Sequence, residues 1–171
     1  MTTSADVLAD GFERIRGTSR AAVKDAPADI LEARIDPEAN TIAWLAWHLT
    51  RGQDAQVSDA MGEPQLWTSD GWSGRFALNL PDSSTGYGHT AEDVAQVRGI
   101  SSELLVGYLD AMSDRSIAWI KTLTDADLDR IVDTRFTPPV TLAVRLVSVI
   151  SDNLQHAGQA AFIRGVLERQ R

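Results

Sequence analysis

The chain of 171 residues contains no cysteine. That absence removes disulfides, thiolate metal ligands and a protein thiol nucleophile together, so any sulfur chemistry has to arrive with a small molecule. Clustered positive charge is missing as well. Lys and Arg number 16 against 24 Asp and Glu, for a formal net charge of −8, and no basic stripe is offered to the phosphates of a nucleic acid. No run approaches the roughly 20 apolar residues that a membrane span requires. The opening MTTSADVLADGFERIRG carries acids early and no apolar stretch of signal-peptide length, so a cytoplasmic protein is expected. Histidine is scarce too: there are three, His48, His89 and His156.

What remains is ordinary for a globular protein, with 43% hydrophobic and 23% charged residues. The length suits one domain with a substantial core, expected to span 1–171. Four stretches read as long amphipathic helices. The first runs from Ser4, with Asp6 in its first turn, to about Lys24, with Val7, Leu8, Phe12, Ile15 and Val23 near helical spacing. Asn40 or Thr41 can cap the second, which runs to Met61 before Gly62 and Pro64 end it. Ser101 or Ser102 begins the third, with Leu104, Leu105, Tyr108, Met112, Ile117, Trp119 and Ile120 as its candidate buried side. Thr141 can cap the fourth, which spans roughly 40 Å at 1.5 Å per residue.

Between the second and third helices lies GEPQLWTSDGWSGRFALNLPDSSTGYGHT, rich in Gly, Ser and Asp yet carrying Trp67, Trp72, Phe76 and Tyr87. A flexible linker would not be so aromatic, so an ordered excursion is expected, packed on the helices or on a neighbouring chain. Thr90 with Glu92 and Asp93 opens a helical lead-in, AEDVAQVRG. Thr124 and Asp127 start a short turn, and IVDTRFTPPVT, with Pro138 and Pro139, reads as an extended connection. The expected fold is all-α, an antiparallel four-helix bundle with a long irregular connection between helices 2 and 3.

The fourth helix presents Asp152 and His156 four residues apart, hence on one face. A carboxylate and an imidazole so placed make half a site for a divalent metal. If the second helix packs alongside, His48 completes a His, Asp, His set; alternatively, Asp152 only orients His156. His89 is a fourth ligand, a proton shuttle, or a residue that caps the following helix or packs the loop, given the Gly86 and Gly88 turn around it. Arg51 either meets a substrate carboxylate or pairs with Asp54 at i+3. Gln155 and Gln159 can hydrogen-bond the ligands or a substrate. Trp44, Trp47, Trp67 and Trp72 serve as core and loop anchors, with one or two walling a pocket.

Three segments together carry a family resemblance: WHL at Trp47 to Leu49 with Asp54 beyond it, TGYGHT at Thr85 to Thr90, and DNLQHAGQAAFIRG at Asp152 to Gly165. They resemble the DinB/YfiT-like superfamily of metalloenzymes, and within it the actinobacterial branch of mycothiol-dependent maleylpyruvate isomerase and the mycothiol transferases. The resemblance implies zinc or nickel held by one residue of the second helix and two of the fourth. It maps onto His48, Asp152 and His156, the last followed by Gly158 and Gln159 as the family pattern asks. Asp152 stands where the commonest pattern has histidine and the isomerase branch has a carboxylate. The isomerase is similar only in its first domain.

Three such ligands leave a coordination position open, as in catalytic sites. Mycothiol is the thiol that the resemblance implies, and a thiol-dependent S-transferase or isomerase of small electrophiles is the leading expectation. Its residues would be the metal set together with His89, Arg51 and Gln159; its partners a small-molecule substrate and a low-molecular-weight thiol, with no nucleic acid and no membrane. A metal-dependent hydrolase and a non-catalytic metal-binding dimer are the alternatives, and a homodimer is expected from the aromatic 62–90 segment.

Overall fold

A computed structural model describes residues 1–170. In chain order its elements are α1 (Ser4–Val23), α2 (Ala28–Leu31), α3 (Ile42–Met61), α4 (Leu66–Ser69), α5 (Trp72–Phe76), α6 (Ala91–Val94), α7 (Ser102–Ile120), α8 (Asp125–Leu128), β1 (Ile131–Asp133), β2 (Val140–Thr141) and α9 (Leu142–Arg169). The chain is mostly helical, and four of these helices are long.

Hydroxyl side chains set where the long helices begin. Thr41, Ser101 and Thr141 each accept the backbone N–H of the residue three positions on, satisfying a donor that the first turn otherwise leaves open, worth about 1 kcal/mol per cap. The first helix starts at Ser4 as expected, and Thr3 is its cap, in a reciprocal box with Asp6. Gly62 ends α3 in the left-handed region, φ 74°.

The long helices close around one contiguous core. α1 lies against α9 and α7, and α3 lies against the same two. Phe12 and Ile15 of α1, Leu45 and Leu49 of α3, Met112 and Ile120 of α7, and Leu142 and Leu146 of α9 are all at or near zero exposure. Within the expected faces, Val7 points to solvent and Leu104 and Trp119 are only half-buried, whereas Leu109 is buried. A second buried layer is polar. Gln53 Nε2 donates to Ser116 Oγ at 2.9 Å and Asn153 Nδ2 donates to Gln53 Oε1 at 3.0 Å, tying α3, α7 and α9 together at one level. With partners satisfied, such groups fix the relative register of the helices.

Three connections carry structure of their own. The 62–90 excursion contains α4 and α5, which bury Trp67, Trp72 and Phe76 against Tyr108 of α7 and leave Tyr87 exposed. The lead-in helix stops at Val94, and Gly99 takes a left-handed φ of 72° just before α7. The extended connection folds on itself as an antiparallel pair, Ile131 opposite Thr141 and Asp133 opposite Val140. Asp133 is then gripped by Arg135 at 2.7 Å and Arg145 at 2.8 Å. Arg135 foremost holds the Asp133 carboxyl far below the usual carboxylate range. Among the described residues no helix is long and apolar enough to cross a membrane.

Candidate metal centre

The packing of α3 on α9 brings His48 to the face that carries Asp152 and His156. One potential ligand atom from each of the three lies within 4.8 Å of the others. His156 Nε2 stands 3.6 Å from Asp152 Oδ1, and the two imidazole rings meet edge to face with centroids 4.8 Å apart.

Each imidazole is oriented from behind. His48 Nδ1 lies 2.5 Å from the carbonyl oxygen of Thr85. A carbonyl only accepts, so Nδ1 carries the proton and Nε2 keeps a lone pair. His156 Nδ1 lies 3.1 Å from Gln159 Oε1, which fixes the same tautomer on that ring. Trp44 stacks on His48 with centroids 4.5 Å apart and planes 16° from parallel. Burial lowers the pKa of His48, against the Thr85 bond that raises it, so the ring is held in the neutral form that ligates a metal.

The chain passes His48 closely because residue 86 is glycine. Gly86 has φ 94°, and a Cβ there would sit 2.6 Å from His48 Nδ1 and 3.1 Å from the Trp44 ring. Both the left-handed backbone and the lack of space exclude a side chain. In front of His48 and Asp152 lies an open cleft of about 820 Å3 between α3, α9 and the Thr85–Tyr87 turn. Two imidazoles, a carboxylate and room for further ligands are a donor set that suits a divalent transition metal with open positions.

The other residues expected at the site have different placements. His89 sits behind Trp44, whose Nε1 donates to His89 Nδ1 at 3.1 Å, so His89 Nε2 carries the proton and donates to Ser84 Oγ at 2.9 Å. Both ring nitrogens are thereby engaged in the wall, and Trp47 stacks on the ring. Gln159 reaches the site through His156. Gln155 bonds back to Ser151 and lines the cleft.

Arg51 is fully buried and turned away from the cleft. Its nitrogens donate to Gln65 Oε1 at 2.9 Å and to the carbonyls of Ser84 and Asp82 at 3.2 Å, its charge faces Asp54 at 3.6 Å, and it lies over the Trp67 ring. Of the two roles open to it, the structure has the pairing with Asp54. Asp54 in turn accepts the backbone N–H groups of Leu66 and Trp67, the Ser58 hydroxyl and, at 2.6 Å, the Tyr108 hydroxyl. Burial, with Asp54 beside it, pushes the Tyr108 hydroxyl well above its ordinary pKa.

Sequence reasoning did not assign Thr85 or Gly86 to the site, nor Gln53 and Asn153 to a buried network. The Gly-x-Gly turn close before His89 was a signal for the first pair. Amides set among apolar helix positions were one for the second.

A model of the DinB superfamily matches residues 11–160. The crystal structure of a conserved protein from Enterococcus faecalis matches with a TM-score of 0.89 and 30% identity, covering 96% of each chain. No curated protein matches.

Proposed function

The chain belongs to the DinB superfamily, and from that premise we propose that it binds zinc or nickel through His48, Asp152 and His156. We propose further that it uses the metal to transfer a low-molecular-weight thiol of the mycothiol type to a small electrophile, or to isomerise such an electrophile. The observation that carries the reading is the convergence of two oriented imidazoles and a carboxylate within 4.8 Å at one end of an open cleft.

Once bound, a divalent metal lowers the pKa of a ligating thiol or water. The chain's own part is orientation and shielding. Thr85 and Gln159 keep both Nε2 atoms aimed at one point, Asp152 supplies the negative charge of the donor set, and Trp44 with Trp47 screens its back. In the transfer, sulfur bonds to the electrophilic carbon, the thiol proton passes to solvent and the leaving group departs with its electron pair. No oxidant or reductant is required. The absence of cysteine supports an external thiol.

Several finer expectations belong to the same reading. The four long helices and their pairings support an antiparallel four-helix bundle in which 62–90 is the long connection. A cytoplasmic location is retained. A homodimer is proposed on the exposed Phe136 and Phe162, because Trp67, Trp72 and Phe76 are buried within their own chain.

Elemental analysis of untagged protein beside His156→Ala tests the metal. The expected result is about one zinc or nickel per chain in the parent and almost none in the variant. A parent that stays empty after metal is added overturns the reading. Turnover of an electrophile by loaded protein without any thiol favours the water-activating hydrolase instead.

A further inference from the structure

Large apolar side chains left in solvent are ordinary when scattered and informative when gathered. Among the described residues nine are exposed, and three of them, Tyr87, Val144 and Val147, line the cleft in front of the triad. Tyr87 is 93% exposed and stands on the Gly86–Gly88 turn; Val144 and Val147 face the cleft from α9. With Ala143 and Gly52 they form an apolar stretch of wall at the part of the cleft away from Asp152, from which Ser148 and Ser151 of α9 separate it. Eight residues separate Val144 from Asp152, about 12 Å along a helix.

The same wall is without positive charge. Among the described residues lining the cleft there is no Lys and no Arg, and the one carboxylate is Asp152. The guanidinium nearest along α9, that of Arg145, is held by Asp133 at 2.8 Å and by Gln56 Oε1 at 3.0 Å, and it lines two neighbouring hollows instead. Arg51 lies behind, fully buried and bonded to the excursion. A carboxylate or phosphate placed along this wall would lose water and find no cation to pair with, only the neutral donors of Gln56, Ser148, Ser151 and Gln155. An aromatic or alkyl group would cover apolar surface that is now wet.

Resting on the reading of this cleft as the ligand site, we infer that the cleft selects small ligands whose body, beyond the end that meets the triad, is uncharged and apolar. That body lies between Tyr87 and the Val144–Val147 face, and Tyr87 is the residue that sets the preference. The expected electrophiles are thus neutral aromatic or alkyl compounds, and dicarboxylates are excluded.

The test uses two fluorescent probes with one skeleton, N-phenylnaphthylamine, which is neutral, and anilinonaphthalene sulfonate, which is anionic. Titration of the metal-free full chain is expected to give at least about tenfold tighter binding of the neutral probe. Replacing the exposed Tyr87 by Ala weakens that binding about fivefold, the worth of one aromatic contact. Val147→Lys imports the missing cation and raises affinity for the sulfonate. Val7→Ser, on an exposed face of α1, changes neither affinity, and matching melting curves establish that all variants fold. Equal or tighter binding of the sulfonate, no binding of either probe, or an unmoved affinity in Tyr87→Ala overturns the inference. Uptake of added zinc or nickel by the same preparations is read separately. A chain that discriminates between the probes but takes up no metal upholds the inference while sinking the metal reading, and a chain that takes up metal but does not discriminate does the reverse.

Discussion

One turn apart on α3 lie two polar clusters of opposite character. The Arg51 and Asp54 cluster is wholly buried, and its charges are surrounded by partners: carbonyls, amides, two hydroxyls and each other. The His48 cluster is half-open, with each ring fixed at Nδ1 and left free at Nε2, beside a carboxylate whose side chain is 52% exposed. A polar group with all its capacity used in the interior serves architecture. One oriented from behind and left unsatisfied toward solvent is available to a ligand.

That contrast gives its largest effect in stability. Arg51→Ala strands the Asp54 carboxylate in the interior and is expected to cost about 3–5 kcal/mol of unfolding free energy in denaturant titration. His156→Ala in metal-free protein is expected to cost about 1 kcal/mol. A reversed order would break the distinction between the two clusters. Next comes a matched pair in the turn. Gly86→Ala drives a methyl group into His48 and should weaken metal affinity about 10–100-fold in chelator competition. Gly88 also has positive φ, 75°, but open space around it; Gly88→Ala should cost about 1 kcal/mol of stability and leave metal affinity in place. Smaller still, Gln159→Leu frees the His156 ring and should lower metal affinity about tenfold, whereas Gln155→Leu should not.

The smallest effect is in pH. His48 is held neutral in the fold, with its pKa below the usual histidine value. The unfolded chain therefore binds more protons at this residue than the folded one. Stability of the metal-free protein should be level above about pH 6.5 and fall as pH drops through and below that value. Urea midpoints measured across this range for the parent and His48→Gln, which removes the step, sharpen the assignment.

The four long helices could be read from the sequence because each carries a local signal: a hydroxyl cap, an apolar stripe, a glycine or proline at its end. His48, Asp152 and His156 were legible for a related reason. The spacing of Asp152 and His156 is a property of one helix, and histidine is scarce enough to leave few candidates for the third position. What could not be read depends on distant partners. Thr85 orients His48 through its carbonyl, which every residue type has. The burial of Arg51 depends on carbonyls some thirty residues away. The β1–β2 pair is five residues in all, and its Asp133 is fixed by Arg145 of α9. The resemblance to the superfamily matches the family model over 11–160; a branch within it turns on the ligand that the cleft accepts.

The turn over the cleft is anchored in a way that bears on how the protein can diversify. Arg51 grips the main-chain oxygens of residues 82 and 84, and His48 grips that of residue 85. None of these contacts uses the side chain of Ser83, Thr85 or Tyr87. Those three positions can drift, or be randomised in a library, while the turn stays seated and the imidazole stays aimed. Selectivity can thus be rewritten at the rim, separately from the mutations that would disturb the ligands beneath it.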